Sequence, residues 1–424
     1  MTEKARKNIA IIGSGISGLG AAYLLHPHHN ITVYEKKDYI GGHSRTVEVP
    51  TPNGKIPVDT GFIVFNYRNY PLLTSLFSHL NVAVKESDMS FGASIYNGWL
   101  EYSTQTLKNI FAQKANLIRP KFWRMITDIL RFNRSARRYL QSDSSITLGQ
   151  CLDELHMGHW FREYFILAIG GAIWSTPLSQ MLEFPALTFI RFFDNHGLLT
   201  VNDQPKWYTV QGGSREYVNR LTANFKKNIL TNCGVKKVTR KTDKVLLKDT
   251  RGNINHFDEV IFACHADQAL YLIENPTKDE HSILSNLRYQ PNRILLHSDV
   301  SFMPKRKNAW ASWVYLLDQR KDKNPHVALN YWMNNLQPLN TNIPIIVTLN
   351  PTREPQKNLI YDEYSFDHPV FDKAAIDAQE KMETIQGKNN FWFCGAYQRY
   401  GFHEDGLFSA VTMAEKMGIT PSWM

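Results

Sequence analysis

Near its start the chain reads NIAIIGSGISGLGAAYLLHPHHNITVYE, and no other stretch limits the fold as strongly. NIAII is a continuous apolar run of strand length, the pattern of a strand buried on both faces. It runs into Gly13, Gly15 and Gly18, with Ser14 and Ser17 between them, and then into a helix-forming stretch rich in small residues. Each glycine answers a physical demand: Gly13 allows the tight turn, Gly15 lets backbone approach a pyrophosphate, and Gly18 lets helix and strand pack closely. The helix N-terminus then faces the anion. ITVYE is the next strand, and Glu35 at its end, followed by Lys36, lies roughly 20 residues beyond the glycines, placed to accept hydrogen bonds from an adenosine ribose. The plainer reading is a glycine-rich turn in another α/β protein. The ordered strand, turn, helix, strand and acid weigh against it and predict a dinucleotide-binding unit.

The segment just beyond Glu35 separates the dinucleotides. EKKDYIGGHSRT brings a second glycine pair, Gly41 and Gly42. Here the sequence resembles the flavoprotein superfamily of amine oxidases, phytoene desaturases and protoporphyrinogen oxidase. The resemblance implies that this pair lets backbone pass close to the diphosphate of FAD. Relatives usually carry Arg after the two glycines; this chain has His43, with Arg45 two residues on. The resemblance also implies that Thr60, Gly61 and Phe62 lie near the flavin ring. It makes ILTNCGVKKVTRKTDKVLLKDTRGNINHFDEVIFACHA a β-meander and returning strand, with the Val235 backbone at the adenine edge. The last cofactor piece is FWFCGAYQRYGFHEDGLFSAVTMAEKMG. Gly395 would lie at the phosphate, and Asp405, Gly406 and Leu407 would begin a helix whose N-terminus points at the flavin pyrimidine. Ala396 stands where many relatives have Asp, so a ribityl contact through a carboxylate must come from elsewhere. No second strand–GxGxxG–helix unit occurs, so a separate nicotinamide domain is not expected.

A narrower resemblance rests on VDTGFIVFNYRNYPLLTSLFSHLNV, GGAIWSTP, WYTVQGGSREYV, LLHSDVSFMP, AWASW, IVTLNP and FCGAYQRYGFHEDGLFSA, in this order along nearly the whole chain. These stretches are similar to a subgroup of predicted NAD/FAD-binding, amine-oxidase-like proteins associated with enzymes that modify unsaturated fatty acids. The implied fold is α/β: a Rossmann-like FAD-binding domain with a β-meander, interleaved with a mixed α+β substrate domain. The expected division assigns residues 1–70, 200–292 and 385–424 to FAD, and 71–199 and 293–384 to substrate. The substrate part should be mainly helical before residue 200 and mainly sheet after 293.

Composition narrows the partners. The chain of 424 residues carries a net charge of +9, which suits nucleic acid, an anionic membrane face or an acidic small molecule. No zinc-knuckle spacing, RNP-like strand or basic tail supports nucleic acid. Cys151, Cys233, Cys264 and Cys394 stand far apart, with neither CxxC nor metal-ligand spacing, as in a reducing compartment. No secretory h-region precedes the first strand, so a cytoplasmic location is expected, either free or peripheral at the inner membrane face. Between residues 104 and 141 one acid, Asp128, faces Lys108, Lys114, Arg119, Lys121, Arg124, Arg131, Arg134, Arg137 and Arg138. Phe122, Met125, Ile126, Ile129 and Leu130 recur there at helical spacing. The segment reads either as a basic amphipathic helix on an anionic bilayer or as a core helix with a solvated basic face.

The expected activity is FAD-dependent oxidation or desaturation of an apolar, lipid-derived substrate by hydride transfer to flavin N5. Amine oxidation comes second, because the strand NRILLHSDVSFMP offers Arg293 and His297 where amine oxidases commonly carry a lysine. A non-redox mutase, or FAD held without catalysis, is a third reading. His403 and Glu404 are the expected catalytic side chains, since GFHEDG leads to the flavin-facing helix; His43 and His196 come next. Trp174, Trp207, Trp310, Trp313 and Trp332 suit an apolar site, and equally a core.

Overall fold

The structure, a computed structural model, describes residues 5–141, 146–174, 181–195, 197–200, 204–317 and 328–424. Five parallel strands form the first sheet, in the order 229–230, 30–34, 8–12, 259–262 and 391–393. The central strand, Asn8–Ile12, alternates between two cores. Ile9 and Ile11 pack with Leu19, Ala22 and Ala410, from helices Ile16–Leu25 and His403–Lys416. Ala10 and Ile12 face Val238, Val245 and Leu247 of a three-stranded antiparallel meander, 235–240, 245–249 and 254–257. Burial on both faces explains why the first strand is apolar throughout rather than alternating.

The second sheet has seven strands, ordered 360–369, 289–297, 346–349, 328–332, 313–317, 91–95 and 100–103. Its one parallel pair joins Trp313–Leu317 to Phe91–Ile95. Two of its strands thus come from residues before 104, a stretch expected to be mainly helical. Helices between residues 107 and 195 cover one side; Phe122, Met125 and Phe132 of helix Pro120–Ser135 are buried there with Phe161, Phe189 and Phe193. Ala375, Ala378, Met382 and Ile385 share a core with Val260 and Phe391, so residues 373–385 pack on the parallel-sheet side, ahead of the boundary drawn at 385. The architecture is α/β, a Rossmann-like sheet with a meander beside a mixed sheet-and-helix layer. No helix among the described residues is long and apolar enough to cross a membrane.

Candidate active site

The first turn of helix Ile16–Leu25 is built for close approach. Gly13 has φ +107°, and its N–H donates to Tyr34 O at 2.9 Å. A Cβ on Gly18 would lie 2.0 Å from Gly13 O, so only glycine lets strand and helix meet there. The Cβ direction of Gly15 points into open space. No side chain caps this helix, and its first turn holds no acid. The second glycine pair closes over the same turn: Gly41 N–H donates to Ser14 O at 2.9 Å, and a Cβ on Gly42 (φ +60°) would fall 2.9 Å from Gly15 Cα. The result is a backbone cradle that side chains would fill, with a bare helix N-terminus as its positive end.

Glu35 lies beside this cradle, buried. It accepts from Ser14 N–H at 3.0 Å, Ser14 Oγ–H at 2.6 Å and Lys37 N–H at 2.8 Å. Lys36 is exposed. Cys233 N–H donates to Glu35 O at 2.8 Å, which brings Val235, the first residue of the meander, to the same end.

The C-terminal segment reaches the cradle from the other side. A Cβ on Gly406 would meet Ile16 Cγ2 at 2.7 Å and Ser17 Oγ at 2.9 Å. Leu407 Cδ1 stands 2.9 Å from the Cβ position of Gly20. Ser409 Oγ accepts from Gly395 N–H at 2.9 Å and donates to Gly406 O at 2.7 Å, tying the last strand to the last helix. Ala396 begins a short 3-10 turn next to Gly395. Both ends of the chain therefore converge on one first turn.

A third group extends from the cradle. Phe62 N–H donates to His43 O at 2.8 Å, and Thr60 N–H to Arg45 O at 2.9 Å, so residues 43–45 and 60–62 are bonded side by side. Gly61 is required there, because its Cβ would lie 2.2 Å from His43 O. Arg45 is committed elsewhere: it binds Asp362 through two hydrogen bonds of 2.7 and 3.0 Å and stacks on Tyr364. A phosphate contact by Arg45 would have to compete with that carboxylate. The His43 ring stacks on Phe366, with centroids 4.3 Å apart, and near His368. The His403 ring stacks on Phe62 at 3.9 Å; its Nε2 lies 2.6 Å from Tyr217 OH and 3.3 Å from Ser44 Oγ, and these two hydroxyls bond each other.

Burial fixes the charge of these groups. It drives the His403 pKa down to about 3 and that of His368 to about 4, and it lowers His43 and His265 as well. All four imidazoles are therefore neutral at pH about 7. Burial pushes Glu404 up to about 7 and Asp405 up to about 6. Glu404 caps another helix, accepting from Leu72 N–H and Leu73 N–H at 2.9 Å each, at the start of Pro71–His79. Asp405 accepts from Phe402 N–H at 2.9 Å, closing the first turn of its own helix.

Other expected residues lie apart. Arg293 pairs with Glu354 and Glu363 on the outer side of the sheet, and His297 is buried against Thr348. The tryptophans do not gather at one pocket: Trp310 packs on Trp332, Trp313 packs on Tyr331 from a separate cluster, and Trp207 belongs to a third. His196 and the Trp174 side chain lie outside the described residues. Sequence reasoning missed Ser44, Tyr217, Asp362, Phe366 and His368. The alternation of Tyr364, Phe366 and His368 along one strand was the available signal, since period two puts them on one face.

Residues 16–322 match the flavin containing amine oxidoreductase family, and the chain belongs to it. It is thus a flavin-dependent oxidoreductase with FAD as cofactor. A relative, the FAD-dependent oxidoreductase dbaF of Emericella nidulans, is 34% identical over 97 residues, 22% of this chain; the match spans 20% of that relative's length. The CLA-producing fatty acid isomerase from P. acnes shares the fold at TM-score 0.69 and 14% identity, over 99% of this chain and 100% of that one. Cyclohexylamine oxidase from Brevibacterium oxydans IH-35A does so at TM-score 0.66 and 15% identity, over 98% and 100%. The cradle fits the cofactor: open space at Gly15, an uncapped helix N-terminus and a buried carboxylate at Glu35 match diphosphate and ribose.

Proposed function

We propose that the protein oxidises or desaturates an apolar, lipid-derived substrate. Gly13, Gly15, Gly18, Gly41, Gly42 and Gly395 would hold the diphosphate, Glu35 and Val235 the adenosine end, and Gly406 and the 60–62 segment the flavin end. Bound FAD supplies a two-electron acceptor, taking hydride at N5. The observation that carries the substrate reading is the character of the wall beside this site. It is made of Phe62, Phe366 and Phe402 with the neutral rings of His43, His368 and His403. Phe402 continues it into the helical layer by stacking on Phe192, centroids 4.9 Å apart. Three nearby carboxylates are committed: Asp362 to Arg45, Glu404 to a helix N-terminus, Asp405 to its own; Asp367, next to His368 in the strand, acts on that ring by its charge. An alkylammonium would be desolvated among these rings, which is costly, whereas an acyl chain loses nothing. In this reading His403, through Tyr217 and Phe62, and Glu404, through helix Pro71–His79, are positioning residues that anchor the first turn of the C-terminal helix to its neighbours.

Amine oxidation is the second reading, supported by the likeness to cyclohexylamine oxidase, whose alkyl ring an aromatic wall also suits. The likeness to a fatty acid isomerase supports an acyl substrate, with a product of unchanged mass as the variant outcome. Mass spectrometry of lipid extract after aerobic turnover separates these. A product lighter by two hydrogens supports the proposal; an isobaric product supports isomerisation; an unchanged lipid pool with oxidised amines overturns the lipid reading.

A further inference from the structure

The basic segment 104–141 is largely spent on internal contacts. Arg124 and Arg131 clasp buried Asp128, Arg137 binds Asp194, and Arg119 donates to Trp99 O and Asn116. The remaining cations are fewer. Lys108, Lys114 and Lys121 are exposed and form no ion pair among the described residues, and neither does Lys307 from a distant part of the chain. Asn109 Nδ2 donates to Asn308 O at 2.6 Å, sewing the two segments into one surface. Between them lies an open depression of about 530 Å³, lined by Gln113, Lys114, Arg306, Lys307 and Asn308. Glu101, which pairs with the lining residue Arg306, is fully buried and neutralised by that guanidinium at 2.7 Å and by backbone N–H groups of Lys305 and Arg306.

Apolar side chains stand outward on this same surface. Ile118 is 84% exposed, Leu107 79%, Leu117 50% and Trp123 45%. Trp123 Nε1–H donates to Leu117 O at 2.9 Å and its ring packs on Phe111, so the projecting turn is fixed. Aliphatic and indole groups among unpaired lysines are the chemistry of an interface between headgroups and acyl chains. An acidic protein would satisfy the lysines but leave Ile118 and Leu107 without a reason to stand in water.

We propose that this surface docks the protein on an anionic lipid bilayer. Leu107, Leu117, Ile118 and Trp123 enter the headgroup region, and Lys108, Lys114, Lys121 and Lys307 meet anionic headgroups. The inference goes beyond the substrate reading and stands without it, because it is tested without turnover. The full-length holoprotein is sedimented with vesicles of phosphatidylcholine alone and of phosphatidylcholine doped with phosphatidylglycerol. Retention by the doped vesicles only, reversed by salt, is expected. The triple variant K108E/K114E/K307E and the double variant L107S/I118S should each bind at least about tenfold more weakly while keeping the visible flavin spectrum. Equal retention by both vesicle types, retention by neither, or wild-type binding by the triple variant would overturn the proposal.

Discussion

His297 accepts from Asp299 N–H at Nδ1 (3.1 Å), so its Nε2 is the protonated nitrogen that meets Thr348 Oγ1 at 2.7 Å. A proton added at Nδ1 would expel that donor, and burial already drives the pKa down to about 4. The folded value lies below the unfolded one, so this stabilisation is complete above about pH 6.5 and is lost as pH falls towards 4. Denaturant titrations should show wild type losing about 2–3 kcal/mol more than H297Q over that window. Equal losses would mean that His297 is not held neutral. Gly42 tests the cradle at the same scale. Its φ of +60° and the 2.9 Å approach to Gly15 Cα leave no room for a methyl group. Gly42→Ala should fold, yet bind FAD at least about tenfold more weakly, read by flavin release on gel filtration. Retained affinity would place the diphosphate elsewhere.

At the scale of elements, helix Pro71–His79 begins without a cap of its own and takes one from Glu404. Because burial raises Glu404 to about 7, the stabilisation is present below the unfolded carboxylate value and is lost as pH rises through 7. Glu404→Ala should cost about 1–2 kcal/mol at pH about 5, where the acid still accepts a helix N–H. The thermal penalty should shrink at pH about 8, since wild type then carries a buried charge. A penalty that grows with pH would contradict the raised pKa, since the ionised carboxylate would then be the better cap. This contact also shows where sequence reading stops. The glycine turn was legible because its constraints lie within one strand and one helix. The role of Glu404 was not, because its donors at Leu72 and Leu73 are far away in sequence and carry no side-chain signature. His403 likewise looked like a proton carrier by position, while Tyr217, Phe62 and Ser44, which set its state, are supplied by other elements.

Over the whole molecule, segments from the N- and C-terminal parts of the chain meet at one glycine turn, and the proposed substrate wall is supplied by a second sheet. The order of the flavin segments could be read from the sequence, since each carries its own glycines. The wall could not, because Phe366, His368 and Phe402 become one surface only when the seven-stranded sheet lies against the last helix. The same assembly ties three nearby carboxylates, Asp362, Glu404 and Asp405, to Arg45 and to helix starts, which supports the proposal of an apolar substrate. Anaerobic mixing of the holoprotein with lipid extract, and separately with an amine panel, tests this most directly. Lipid is expected to bleach the visible flavin absorption while amines leave it intact. Bleaching by amines alone would contradict it.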